Sequence, residues 1–379
     1  MYATVILGVY VPAEMPVIAG MPATGSWTII LLLYAYIAST LPVTTLLQPR
    51  DFINSHQLLV AMSLMVIGVI AATFTTDMQL VAPAVQMQPA EAPPMWPFLF
   101  ITIACGAISG FHALISSGTS AKQVRNEQDS LFVGFGSMLT EGALATLVII
   151  AVAAGIGLGY EHSGETLLGS TAWTTHYSSW AAAKGLGSKV GAFVVGAANM
   201  IEAVGIPHSW AVAIMGVFVA SFAGTTMDSA TRVQRYVVTE LFDFLGVRAF
   251  KNIYLSTAVV IVTAAVLAFI SGANGTGALA LWPLFGAVNQ TLAALALIVI
   301  TLYLRRQGGL KWMVAGIPAV FMVIMTFWAS LINEFKFAAQ QEWLLVSINT
   351  VIMVLVVLIV IEGLRKFFAL APQLRGEPA

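Results

Sequence analysis

Polar residues recur at helical spacing inside one long apolar segment of the chain. Ser109, His112 and Ser116 are three and four positions apart, and Thr119 or Ser120 continues the series. Residues at this spacing share one face of an α-helix. Polar side chains are costly at membrane depth, so this stripe is typical of a surface that lines a substrate path.

Glycines accompany the polar stripe at Gly106, Gly110 and Gly118. Glycines in such a segment either let another helix approach closely or allow the helix to unwind and expose its backbone groups. In the first case the serine hydroxyls bond within their own helix. We favour the second interpretation, in which residues 96–117 form a broken helix that lines a substrate site.

Two titratable residues at membrane depth are candidates for proton transfer. The unperturbed pKa of a histidine side chain is about 6.5. His112 is therefore either a proton carrier or a neutral histidine bonded across helices. Glu141 lies about nine residues into the apolar segment 132–157 and has no basic neighbour in sequence. We expect it to be protonated, paired or part of a proton or ion path, with a structural hydrogen bond as the alternative.

Oxygen-bearing side chains cluster at the end of the apolar segment 208–227. Ser221, Thr225 and Asp228 follow at helical spacing, with Thr226 alongside. Such hard oxygen donors suit Na⁺ and predict a cation site. The alternative is that Asp228 pairs with Arg232 four residues later, while Arg232 and Arg235 face lipid headgroups or anchor the topology.

Two carboxamides, Asn289 and Gln290, follow a helix-disturbing Pro283 and Gly286 in LWPLFGAVNQ. Carboxamides at this depth usually bond across helices, which predicts such contacts here. Asn289 is also counted among the candidate substrate-binding residues.

The composition places these residues in a membrane protein. Hydrophobic residues make up 59% of the chain and charged residues 9%, against about a quarter charged in soluble domains. The net charge of −1 argues against nucleic acid as a partner. The sequence shows no catalytic, metal-binding or ATP-binding pattern, which predicts no enzyme, no cofactor beyond H⁺ or Na⁺, and a secondary transporter or channel.

Apolar runs long enough to cross a bilayer predict an all-α polytopic fold with about nine transmembrane helices and a single domain. None shows the alternation of barrel strands. The predicted spans are 26–47, 57–77, 96–117, 132–157, 208–227, 253–271, 279–304, 312–332 and 343–364.

The basic residues predict the orientation of these nine helices. Nine crossings place thirteen basic residues on one side and three on the other, which makes the first side, with the C-terminus, cytoplasmic. A further crossing at 190–204 would reverse this balance, so we reject it. Residues 158–205 then form an outside excursion with short helices, suited to a gate, and residues 1–25 also lie outside.

Four segments resemble the carbon starvation protein A family. They are LPVTTLLQPRDF at 41–52, PFLFITIACGAISGFHALISSGTS at 97–120, DSATRVQRY at 228–236 and LWPLFGAVNQ at 281–290. The resemblance implies a secondary transporter of the inner (plasma) membrane that imports peptides or pyruvate-like carboxylates during carbon starvation, coupled to H⁺ or Na⁺. It also implies a LeuT-like bundle of two inverted five-helix repeats.

Carried onto this chain, the resemblance implies a remnant of the first repeat at 26–77, the second repeat at 96–304 and two additional helices at 312–364. Family members are usually longer and begin with further helices. We therefore expect a fragment or mis-started product, a partner chain that supplies the missing helices, or a reduced relative. A truncated subunit with a binding or regulatory role is the alternative function.

The resemblance also distributes the candidate residues between two roles. Substrate binding is expected at Gly106, Ser109, Gly110, His112 and Ser116, with backbone N–H groups of the broken helix facing a substrate carboxylate. Coupling to a cation or proton is expected at the remaining oxygen-bearing residues, Glu141, Ser221, Thr225, Thr226 and Asp228.

Overall fold

A computed structural model of the chain describes residues 1–17, 20–87, 92–180, 183 and 185–374. Lys184 and Arg375, two of the basic residues counted for orientation, lie outside the described residues. The helices are α1 (Tyr2–Tyr10), α2 (Ala23–Thr40), α3 (Leu47–Thr75), α4 (Phe100–Ala107), α5 (Gly110–Gly118), α6 (Asp129–Leu131), α7 (Ser137–Ala153), α8 (Gly169–His176), α9 (Leu186–Glu202), α10 (His208–Phe244), α11 (Ile253–Phe269), α12 (Trp282–Arg306), α13 (Met313–Ala339) and α14 (Trp343–Leu374).

Among the described residues, eight helical segments are long and apolar enough to cross a membrane, which confirms the all-α polytopic prediction. The bilayer core contains no water that could hydrogen-bond to the backbone, and a helix forms its backbone hydrogen bonds internally. The predicted span at 253–271 corresponds to α11, an apolar helix of 17 residues. This length is at the lower limit for a bilayer-spanning helix, about 17 residues.

The segment predicted as an outside excursion contains two short strands and two helices. Strands β1 (Tyr160–His162) and β2 (Glu165–Leu167) pair antiparallel, and α8 and α9 follow. Helix α9 is longer than the short helical stretches expected from the sequence. Its Ala197, Ala198 and Ile201 are fully buried in a core shared with α3, α7 and α10, so this segment packs back onto the bundle.

The chain divides into two compact units. The first comprises Met1–Ala92 and Val124–Ala265, and its core lies where α9 meets α3, α7 and α10. The second comprises Pro93–Gln123 and Val266–Ala379, and α12 packs there against α4, α5, α13 and α14. Small buried residues of α12, such as Ala293 and Ala294, allow these close helix contacts.

Candidate functional site

The apolar segment that carries the polar stripe forms a broken helix. Helix α4 ends at Ala107, Ile108 and Ser109 have extended backbone conformations, and α5 begins at Gly110. The break that the glycines indicated is therefore present. The spacing had predicted one continuous helical face for the polar residues. This prediction is wrong, because Ser109 lies in the break itself.

Asn289 of α12 holds the two sides of this break together. Its Oδ1 accepts the backbone N–H of Phe111 at 2.8 Å, and its Nδ2 lies 3.2 Å from Cys105 Sγ. The Ser109 hydroxyl is 3.1 Å from the same Nδ2. With 4% of its surface exposed, Asn289 contacts the chain before, within and after the break.

Gly110 lets the backbone of α5 approach α12 closely. A Cβ at this position would overlap the Asn289 carbonyl oxygen and Leu292 Cβ, and would lie 2.7 Å from the Ala293 nitrogen. Any side chain here would therefore push the two helices apart. Gly106, by contrast, has no atom within 4 Å of an added Cβ and faces open space.

The structure brings some of the predicted substrate residues together and leaves others apart. Ser109, Gly110 and Asn289 meet at the break, whereas Gly106, His112 and Ser116 are exposed on α4 and α5. The Ser116 hydroxyl donates to the Ala113 carbonyl at 3.0 Å, within its own helix. These three exposed residues are accessible to a solute or to another polypeptide segment.

Gln290, next to Asn289, also bonds across helices as the sequence predicted. Its Nε2 donates to the Ile101 carbonyl at 3.4 Å, and its side chain is fully buried. Its Oε1 has no hydrogen-bond donor in the described part of the chain. This carboxamide joins α12 to α4 at Ile101, about two turns of helix before the break.

Asp228 forms a buried ion pair that the sequence did not predict. Its Oδ2 lies 2.8 Å from Arg50 Nη1, and its side chain has no exposed surface. Arg50 also donates from Nη1 to the Tyr34 hydroxyl at 2.9 Å. The alternative of an Asp228–Arg232 pair is therefore wrong, because Asp228 turns toward α3 rather than along its own helix.

Arg232 and Arg235 are buried, which overturns the expectation that they face lipid headgroups. Arg232 Nη2 donates to the carbonyls of Ala38 and Leu41, each at 3.2 Å. Arg235 Nη1 donates to the Ser39 carbonyl at 2.6 Å. The C-terminus of a helix carries unpaired carbonyls and partial negative charge, so the end of α2 accommodates these two cations.

The other oxygen-bearing side chains of the predicted cation site on α10 form hydrogen bonds within the protein. Ser221 Oγ donates to Gln57 Oε1 of α3 at 2.9 Å. Thr225 and Thr226 both donate to the Phe222 carbonyl, at 2.8 and 3.0 Å. Their role in binding a cation stays a prediction, and the contacts give each residue a structural role as well.

Glu141 is an exposed residue of α7, one turn after Ser137 at the start of that helix. Its neighbour Thr140 donates to the Gly136 carbonyl at 3.0 Å and lines a groove of about 640 Å³ between α3 and α7. Glu141 is thus exposed, whereas Asp228 is fully buried in its pair with Arg50, so the two predicted coupling carboxylates lie in different environments.

Sequence reasoning missed Arg50 as the partner of Asp228, and Tyr34 as a second partner of Arg50. The available signal was that Arg50 and Asp228 each lie in a family motif, LPVTTLLQPRDF and DSATRVQRY, although the sequence separates the two motifs by more than 170 residues. The structure packs these two motifs together in the first unit, through Arg50 and Asp228. It likewise packs the other two motifs together in the second unit, through Ser109 and Asn289.

Comparison with known proteins connects this arrangement to a family. The family model described as "Carbon starvation protein CstA" matches residues 1–329. The peptide transporter CstA of Mycobacterium tuberculosis (strain ATCC 25618 / H37Rv) is 34% identical over 356 residues, covering 82% of this chain and 46% of that protein. No solved structure matches.

Two further relatives carry names of different substrates. The peptide transporter CstA of Helicobacter pylori (strain ATCC 700392 / 26695) is 32% identical over 79% of this chain and 48% of its own length. The pyruvate/proton symporter BtsT of Escherichia coli (strain K12) is 32% identical over 83% of this chain and 52% of its own length. The chain thus spans about half the length of these relatives, which are named as transporters rather than enzymes. The extent of the match places the chain in the carbon starvation protein CstA family.

Proposed function

We propose that this chain is the membrane-embedded part of a secondary active transporter that imports short peptides or pyruvate-like carboxylates across the plasma (inner) membrane. The single observation that carries this proposal is the break between α4 and α5. Helix ends at a break expose backbone groups that a continuous helix would bond internally. Transporters use such ends near the midplane to bind substrates and ions.

The first turn of α5 is proposed to receive the substrate carboxylate. The N–H groups of Gly110, Phe111 and His112 lack carbonyl partners within their own helix, and the positive end of the helix dipole favours an anion. Asn289 already accepts the Phe111 N–H, so Gly110 and His112 are the groups left for a ligand. The exposed His112 and Ser116 extend this surface along α5.

The coupling ion is proposed to be H⁺ or Na⁺, and one relative favours H⁺ because it is named a pyruvate/proton symporter. Glu141 is the better candidate for proton coupling than Asp228. Asp228 is held by Arg50 at 2.8 Å, whereas Glu141 is exposed on α7. A LeuT-like arrangement of repeats and a cytoplasmic C-terminus belong to the same proposal, on the basis of the broken helix and the basic-residue count.

The experiment is uptake of labelled pyruvate and of a labelled tripeptide into cells that produce the transport-competent protein containing this chain. We expect His112→Ala and Ser116→Ala to reduce uptake at least tenfold with normal membrane insertion. Ser117→Ala is the matched control, because Ser117 is a neighbouring exposed serine that bonds its own helix at 3.1 Å. Normal uptake by both test variants would overturn the assignment of the site.

Coupling is tested in the same cells. A protonophore should abolish uptake driven by H⁺, and removal of Na⁺ should abolish uptake driven by Na⁺. Glu141→Gln should remove the response to the driving ion. If the protein binds substrate but never accumulates it, and instead changes the activity of another transporter, the alternative of a regulatory subunit is favoured.

A further inference from the structure

An apolar groove runs along the second unit, between α12, α13 and α14. It consists of two adjoining cavities of about 310 and 470 Å³ that share Val323, Ile324 and Val360. Their linings are almost entirely carbon. The groove is thus too apolar to hold a peptide or a carboxylate, and it is separate from the broken helix.

The length of the groove fits a hydrocarbon chain. Its lining extends along α13 from Gly316 to Leu331, and a helix rises 1.5 Å per residue, which gives about 22 Å. The hydrocarbon core of a bilayer is about 30 Å thick, so the acyl chains of one leaflet span about 15 Å. The groove is therefore longer than one leaflet is thick. One acyl chain lying along the protein surface would occupy it.

Small residues create the space at one end of the groove. A Cβ at Gly363 would lie 2.8 Å from Ile298 Cγ2, and a Cβ at Gly316 would lie 2.8 Å from Trp312 Cε3. Ala319, which is 4% exposed, lies one turn further along α13. Larger side chains at these positions would fill the cavity, so its presence depends on residues with little or no side chain.

The two ends of the groove differ in net charge. The end formed by the α12–α13 connection and the last turns of α14 has five basic residues and one acidic residue, for a net charge of +4. They are Arg305, Arg306, Lys311, Arg365, Lys366 and Glu362. Glu362 pairs with Arg365 at 3.4 Å and with Lys366 at 3.6 Å. At the other end Glu334, Lys336 and Glu342 give −1.

Two hydrogen-bond donors at the basic end lack acceptors. Arg305 Nε and Trp312 Nε1 are both buried, and neither has an acceptor within the residues that the structure describes. The Arg305 guanidinium is fixed by packing, 4.8 Å from the Phe367 ring centroid and 5.9 Å from that of Trp312. Trp312 and Phe367 also line the groove, so these donors lie where it meets the basic residues.

We propose that this groove binds an anionic phospholipid, with one acyl chain between α13 and α14 and the phosphate near Arg305 and Trp312. Charge complementarity selects the occupant, because a headgroup phosphate matches the basic end while the acyl chain matches the apolar lining. The guanidinium and indole N–H groups would then find phosphate oxygens as acceptors. The proposal concerns lipid binding and is independent of the transported substrate.

The test is retention of lipid by the purified protein. The protein is stripped in detergent and mixed with phosphatidylglycerol or phosphatidylcholine of identical acyl chains, and bound lipid is quantified by native mass spectrometry. We expect at least tenfold tighter binding of phosphatidylglycerol. Arg305→Gln should remove most of the preference for phosphatidylglycerol. Lys336→Gln, which changes a basic residue at the other end of the groove, should retain this preference.

The part of the groove proposed to bind the acyl chain is tested by a separate pair of tryptophan variants. Val320→Trp should fill the groove and reduce binding of both lipids at least fivefold, because Val320 lines it on an exposed face of α13. Val314→Trp places the same side chain at an exposed position of α13 outside the lining and should bind normally. Equal retention of the two lipids, equal effects of the two tryptophans, or a groove occupied by a second protein copy would each overturn the proposal.

Discussion

Phe111 donates its backbone N–H to Asn289 Oδ1 over 2.8 Å, so that a side chain of α12 fixes the start of α5. The same carboxamide contacts Cys105 before the break at 3.2 Å. A break in a helix leaves several backbone groups without partners, and each buried one is costly. Asn289 thus stabilises a local structure that the sequence of α4 and α5 would not keep alone.

Replacing Asn289 by Ala should destabilise the second unit. The Phe111 N–H would lose its acceptor, and a buried donor left without a partner costs about 1–3 kcal/mol. We expect a lower Tm for the purified protein in detergent micelles. Ser109→Ala keeps the contact between Asn289 and Phe111 and should lower the Tm much less. Equal losses in the two variants would contradict this role of Asn289.

Gly110 and Gly106 provide a second comparison, across the same break. Gly110→Ala should strongly lower stability, since its Cβ would overlap the backbone of α12 and overpacking costs about 1–3 kcal/mol or more. Gly106→Ala meets no atom within 4 Å and replaces a helical glycine, so stability should stay equal or rise by up to about 1 kcal/mol. Thermal unfolding of both variants measures the difference.

A larger side chain at Gly106 also tests the proposed substrate surface. If Gly106 lines the path of the substrate, Gly106→Leu should raise the KM for uptake without a loss of folded protein. A variant that transports with an unchanged KM would remove Gly106 from the substrate-binding residues while leaving the structural role of Gly110 intact.

The buried ion pair of Arg50 and Asp228 should matter far more than an exposed one. Asp228→Asn removes the buried counter-charge of Arg50 and leaves it the half-exposed Asp51 at 3.5 Å. Removing one partner of a buried pair costs about 3–5 kcal/mol. We expect the lower part of that range, because 16% of the Arg50 side chain is exposed. The measurement is the free energy of unfolding, or Tm where unfolding is irreversible.

Asp243→Asn is the matched control for this pair. Asp243 lies 2.8 Å from Lys251, but both side chains are about half exposed, and such surface pairs contribute about 0–1 kcal/mol. Similar destabilisation by Asp228→Asn and Asp243→Asn would show that burial does not decide the contribution of the pair.

His176 should make the stability of residues 158–205 depend on pH. Its Nδ1 lies 3.0 Å from the Tyr160 hydroxyl and its Nε2 3.3 Å from Ser188 Oγ. Burial lowers the pKa of His176, with the Ser188 contact acting in the opposite direction. The unfolded chain therefore binds more protons, so the stabilisation is complete above pH about 6.5 and is lost as the pH falls through the lower, folded-state pKa.

The pH dependence is measured as Tm at pH 5.5 and 7.5. The wild-type protein should lose more stability on acidification than His176→Gln, which has no group that titrates at this position. His162→Gln changes an exposed histidine of the adjoining strand and should keep the wild-type dependence. An unchanged dependence in His176→Gln would assign the effect to other groups.

Several features of the candidate site followed from local sequence and were confirmed. The break follows from glycines inside an apolar segment that contains Ser109 and His112. That Gln290 bonds across helices follows from the high cost of an unpaired carboxamide at membrane depth, although the structure alone supplies its partner, Ile101. In both cases a single segment contains the chemical reason, so no knowledge of its neighbours was required.

The contacts of the arginines did not follow from sequence. Spacing alone offered Asp228 a partner in Arg232, four residues away on the same helix, yet the carboxylate bonds to Arg50 of α3. Arg232 and Arg235 were expected at the lipid surface but lie against the end of α2. A helical repeat gives the direction of a side chain around its own axis, but it does not specify which helix lies on that side.

By itself, therefore, the sequence determined that this chain is a polytopic α-helical membrane protein of the carbon starvation family, because hydropathy and motifs are local properties. The tertiary structure alone decided that Asn289 closes the break, that α9 packs into the core and that Arg50 neutralises Asp228. These contacts depend on helix packing among residues as far as 184 positions apart, as Cys105 and Asn289 are. Packing of this kind is a property of the assembled helices and not of any one of them.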